Sequence, residues 1–131
     1  LKFIQNLKKM LRPGGYMFMS TLTIDGFDLK TLWEKSEQIS PPHHINFMSI
    51  SGFYALFKRA GMSDINITTP GKLDLDIVRN AIKNDNSILK NQKFIRYLLN
   101  DDKIAKNFQI FLSNNCLSSH AWIIAKKEKE S

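Results

Sequence analysis

His43 and His44 stand side by side in SPPHHINFMS, residues 40–49, behind two prolines and just ahead of Asn46 and Phe47. Imidazole titrates near neutrality, so either ring suits a general base that takes a proton from a hydroxyl, or a hydrogen-bond partner for a substrate. A histidine bonding a neighbouring backbone carbonyl is the structural use of the same residue, and the sequence leaves both uses open. A metal centre fits poorly. It needs three or four convergent ligands, adjacent residues of an extended segment point to opposite sides, and no cysteine or carboxylate cluster joins the two rings. Asn46 either fixes the loop or hydrogen-bonds a substrate. Phe47 reads first as core and second as a substrate platform. Trp33 and Trp122 read as core or interface residues, with Trp33 the better candidate for the wall of an apolar pocket.

A second constellation, LSSH at 117–120, pairs serine with histidine. Neighbours at a strand entry do not form a nucleophile–base pair, and no acid stands out to orient the ring. Ser119 and His120 are expected to satisfy backbone groups there instead.

The elements that must position these residues follow from periodicity. Phe3, Ile4, Leu7, Met10 and Leu11 recur at helical spacing between lysines, and RPGG at 12–15 ends that helix. YMFMSTLTI, 16–24, is apolar at almost every position and predicts a strand buried on both faces, as in a parallel or mixed sheet covered by helices. Asp28 is expected to cap a short helix bearing Leu29, Leu32, Trp33 and Ile39. After the histidine loop, Phe53, Leu56, Phe57 and Ala60 predict a helix started by Ser49 or Ser51 and stopped at Gly61. DINITT, 64–69, alternates as a strand with one wetter face. Residues 72–117 read as helical, with apolar faces at Ile77, Val78, Ala81 and Ile82, at Phe94, Ile95, Leu98 and Leu99, and at Ile104, Phe108, Phe111 and Leu112. HAWIIAKK, 120–127, is a short apolar strand.

At 131 residues the chain suits one domain, spanning 1–131, and its 43% hydrophobic and 24% charged content is that of a globular protein. No apolar run approaches the roughly 18–20 residues that span a bilayer, so no membrane partner is expected. The net charge of +7 is spread along the chain without a like-charge block. A solvated basic surface explains it better than a nucleic-acid patch, and a non-catalytic basic module for an anionic partner is the alternative reading. Cys116 stands alone and cannot close an internal disulfide, which points to a reducing, cytoplasmic setting with Cys116 as a small buried hydrophobe.

LKKMLRPGGYMFMSTL resembles the junction between the fourth helix and fifth strand of class I S-adenosylmethionine-dependent methyltransferases. The PPHH.NF.S loop, the FYALFKRAGM helix and the strand after it resemble that family's continuation to its sixth strand, and AWIIAKK its antiparallel seventh. The resemblance covers 1–70 and 118–128, with 72–117 similar to a helical insertion of some bacterial members. It implies an α/β, partial Rossmann-like fold: a mixed sheet of three main strands in the family order five, seven, six, flanking helices, and a helical cap over the acceptor site. It implies a parent enzyme that uses S-adenosylmethionine to methylate a small or medium acceptor, by analogy a sugar, a lipid or quinone head group, or a nucleoside. The family's glycine-rich cofactor loop has no counterpart here, because Gly14-Gly15 precede a strand rather than follow one. The expectation is therefore an inactive C-terminal half with no cofactor-binding residues. Its natural partner would be the missing N-terminal half, and alone it would self-associate through the open edge of strand 16–24.

Overall fold

A computed structural model describes residues 1–40, Pro42, His44 and 46–129. Helix α1 (Lys2–Met10) runs into a glycine turn in which Gly14 has φ +77° and its N–H donates to Lys127 O. Strand β1 (Tyr16–Leu22), helix α2 (Phe27–Leu32) and a single 3-10 turn at Trp33–Lys35 follow. Past the histidine loop come α3 (Ile50–Arg59) and β2 (Met62–Thr68), then three cap helices, α4 (Asp74–Asn84), α5 (Lys93–Asn100) and α6 (Asp102–Asn114), and finally β3 (His120–Lys127).

The sheet order is β1-β3-β2, and β3 runs antiparallel to both neighbours, so β1 and β2 point the same way. This is the mixed, partial Rossmann-like arrangement expected from the sequence. Period-two alternation turns Met17, Ile123 and Ala125 to one face, where Ile4 of α1 and Phe53, Phe57 and Ala60 of α3 bury them. Ser49 accepts the Gly52 N–H as the α3 N-cap, and Gly61 closes that helix at φ +76°. A second core joins α2 to the cap through Leu32, Leu75, Val78, Leu98, Leu99, Ala105 and Leu112.

Three expectations change. β1 is not buried on both faces: Phe18 is 59% exposed and Tyr16 equally so, because the cap reaches that side of the sheet at Thr68 and Trp122 and leaves β1 open. Asp28 does not cap α2. The N-cap is Gly26, which approaches Ser119 so closely that a Cβ would collide with the serine Cα, and Asp28 is drawn into the interior of the first turn. On the cap, Phe94 and Phe111 lie exposed while Leu75 and Ala105 carry the core, since the contacts between short helices select a narrower stripe than the apolar spacing suggests.

The two faces of the sheet should answer differently to truncation. Phe57→Ala empties a fully buried site and is expected to cost about 3–5 kcal/mol. Phe18→Ala should stay within about 0.5 kcal/mol. Urea unfolding measures both, and an equal loss at Phe18 would mean that its face is covered in solution.

Candidate functional site

The parallel strands β1 and β2 end on the same side of the sheet, and ligands of α/β sheets gather beyond such carboxyl ends. Two structures stand there. At the end of β1, Thr23 forms an isolated parallel bridge with Met48: the Ile24 N–H (3.1 Å) and the Thr23 hydroxyl (2.9 Å) both donate to Met48 O. Asp25 Oδ2 accepts the Ile50 N–H at 2.8 Å. These bonds pin the C-terminal end of the histidine loop beside β1, at the start of α3. His44 is exposed, its ring tilted against half-buried Phe47 with centroids 6.1 Å apart, and it makes no side-chain hydrogen bond to a described residue. Asn46 is exposed, and His43 lies outside the described residues.

At the end of β2 a cavity of about 1000 Å³ opens between the uncovered sheet face and the cap. Thr68, Lys72, Leu75, Arg79, Gln109 and Trp122 are among its lining residues. Trp122 pairs with Thr68 across β3 and β2 and meets Phe18 edge-on, with ring centroids 5.6 Å apart. Arg79 spans the rim, donating to Leu99 O at 2.8 Å and to Asp102 at 2.8 Å. None of His44, Asn46, Phe47 or Trp33 lines this space. Trp33 instead ends α2 with φ +47° and is exposed. Trp122 is the lining residue that sequence reasoning undervalued. Alternation along HAWIIAKK places it on the face opposite Ile123, where it lines the cavity instead of entering the core.

A polar knot fixes the cap above this cavity. Asp74, 2% exposed at the start of α4, accepts the Ser119 N–H on Oδ1 (2.8 Å) and both the Ser118 hydroxyl (2.5 Å) and Gln109 Nε2 (2.7 Å) on Oδ2. Gln109 and Ser113 of α6 also donate to Gly71 O. Ser119 and His120 were expected to satisfy backbone groups at the strand entry; instead the Ser119 N–H, with the Ser118 hydroxyl, goes to a side-chain carboxylate. His120 shares a 2.7 Å hydrogen bond with Ser20, and no described carboxylate bonds that ring. Cys116 is half-buried at φ +57°, its thiol near Ile67 O.

No family model matches the chain. A curated tRNA U34 carboxymethyltransferase from Idiomarina loihiensis is 27% identical over 77 residues, 58% of this chain and 24% of that protein. The chain resembles part of a methyltransferase. A solved phosphoethanolamine N-methyltransferase 2 from Haemonchus contortus, in complex with phosphomonomethylethanolamine and S-adenosylhomocysteine, aligns over 98% of this chain and 30% of its own, with TM-score 0.47 and 15% identity. The chain spans about a quarter of the curated relative's length.

The knot predicts a measurable local cost. Ser118→Ala removes a hydroxyl donated to a buried carboxylate and should destabilise the chain by about 1.5–3 kcal/mol in urea unfolding.

Proposed function

We propose that this chain is the C-terminal, acceptor-side part of an S-adenosylmethionine-dependent methyltransferase acting on a small or medium acceptor. The observation that carries the reading is the capped cavity at the carboxyl end of β2, in a sheet whose antiparallel last strand sits between two parallel ones. Similarity to the carboxymethyltransferase supports the reaction class.

The residues present do not fit the cofactor. Gly14 and Gly15 close a helix before a strand, and their N–H groups are spent on Lys127 O and Arg12 O, whereas a cofactor cradle needs free N–H groups at a turn from strand to helix. This chain's work would be to bind and orient the acceptor and to exclude water from it. The acceptor would extend from the cavity toward the carboxyl end of β1, where the loop at 43–47 would offer a histidine to its proton, with Asn46, Phe47 and Trp33 outside the cavity lining. The uncovered face of Tyr16, Phe18, Trp122 and Ile124, together with β1 as an edge strand, suits packing against the rest of such a domain.

Two measurements test the reading. Calorimetry on the 131-residue chain should show no micromolar binding of S-adenosylmethionine, and such binding would overturn the division of labour. In the whole enzyme, assayed with labelled S-adenosylmethionine against small acceptors, alanine at the catalytic histidine, His43 or His44, should lower turnover by about 10²–10⁴-fold. Unchanged turnover with a lowered melting temperature in both variants would make the loop structural.

A further inference from the structure

Asp28 of α2 is entirely buried, and neither of its oxygens makes a well-formed hydrogen bond to a described residue, although the Ser119 side chain and the Leu29 backbone lie close to it. Across from it sits Asp74 of α4, also buried, whose oxygens already accept from Ser118, Ser119 and Gln109. Two carboxylates withdrawn from water at one contact cannot both stay charged cheaply, since each repels the other and neither is solvated. A proton held between them removes the repulsion and gives Asp28 the partner it lacks.

We propose that Asp28 and Asp74 form a proton-sharing pair that latches the helical cap to α2, firm while the proton is held and looser once it leaves. The pair joins the two elements that anchor the cap, and α4 carries Leu75, Asp76 and Arg79 directly onward into the cavity lining. Loosening the latch therefore reaches the cavity. The latch stands apart from the methyl-transfer reading and holds whatever the cavity binds.

Burial pushes the Asp28 carboxyl up from 3.8 to about 6. The Asp74 charge adds to the rise, while Ser119 and the Leu29 backbone pull the other way. Among the described residues no other charge acts on Asp28. α6 offers only Gln109, and the segment before β3 only Ser118 and Ser119. Lys30 of α2 is exposed and pairs with Asp25 at 3.6 Å, Asp76 and Arg79 pair with each other, and His120 turns to Ser20. The sign follows from proton counting. Between 3.8 and about 6 the folded pair keeps a proton that an unfolded aspartic acid has lost, so stability falls as pH rises through that window and is lowest above it. A gap of about two pH units corresponds to roughly a hundredfold in the opening equilibrium.

Hydrogen exchange on the 131-residue chain from about pH 4 to 8, corrected for intrinsic rates, reads the latch directly. Protection at 74–79 and 117–119 should drop by roughly a hundredfold as pH rises, while the β1–β3 ladder holds. Asp28→Asn, whose amide donates to Asp74 without a proton to lose, should flatten the profile. Protection independent of pH in the parent chain, or the same pH dependence in Asp28→Asn, overturns the proposal. Should that variant fail to fold, the carboxyl-carbon NMR titration of Asp28 in the parent chain decides instead: a midpoint near 6 supports the latch, and one near 3.8 ends it.

Discussion

β3 holds the molecule together. It is the last strand of the chain and the middle strand of the sheet, with β1 in register on one side from Tyr16↔Lys126 to Leu22↔His120, and β2 on the other from Met62↔Lys127 to Thr68↔Trp122 with a register shift between Ser63 and Asn66. β1 and β2 do not touch each other, so every backbone bond that makes them one sheet passes through residues 120–127. Ala121, Ile123 and Ala125 are fully buried along its inner face, and two of the three are alanines. Small side chains there let α3 sit close, so Phe57 supplies the bulk from the helix side.

Such a topology constrains whatever lies between β2 and β3. The chain leaves β2 at Thr68 and must re-enter beside the same residue, because Thr68 pairs with Trp122. The intervening helices are therefore an excursion whose two ends meet. The Asp74 knot sits at that meeting point, tying the start of α4 to Ser118 and Ser119, while Ser113 and Gln109 of α6 hold Gly71. A Cβ at Gly71 would collide with the Ser118 hydroxyl, so the approach of the two chain ends is closed by backbone as well as by hydrogen bonds. An apolar patch could hold the same ends together, but it would tolerate sliding. A carboxylate with three directed donors fixes one arrangement.

Much of this was legible in the sequence, and for stateable reasons. The α1 stop at RPGG, the Ser49 cap, the Gly61 terminator and the alternation of β2 depend on neighbouring residues only, and local rules found them. The antiparallel place of β3 depends on distant pairing, and it came from the family resemblance. Two features escaped both routes. Phe18 was read as buried because an apolar strand says nothing about what covers each of its faces, and here one face is open. Asp28 was read as a helix cap because an acid at a helix start usually meets water or free N–H groups. Its burial opposite Asp74, forty-six positions later in the chain, arises from tertiary packing that no local pattern records.

The histidine loop and the cavity occupy separate places at the carboxyl ends of the two parallel strands. The loop lies where the carboxyl end of β1 delivers it, pinned by Thr23 and Asp25 to Met48 and Ile50. The cavity lies beyond β2, and α2 packs against the cap: Phe27 meets Phe108 of α6 edge-on at 5.4 Å, and Leu32 enters the cap core. α2 thus connects the two places mechanically, starting one turn after the strand that anchors the loop and ending inside the cap. A shift of the cap on α2 cannot leave the chain around Asp25 unaffected, since Gly26 is locked against Ser119 and the Phe27 N–H donates to Leu117 O at 2.8 Å. The same short helix that carries the buried acid thus lies between the polar loop and the cavity along the chain, so the relative placement of the two depends on how firmly α2 is held.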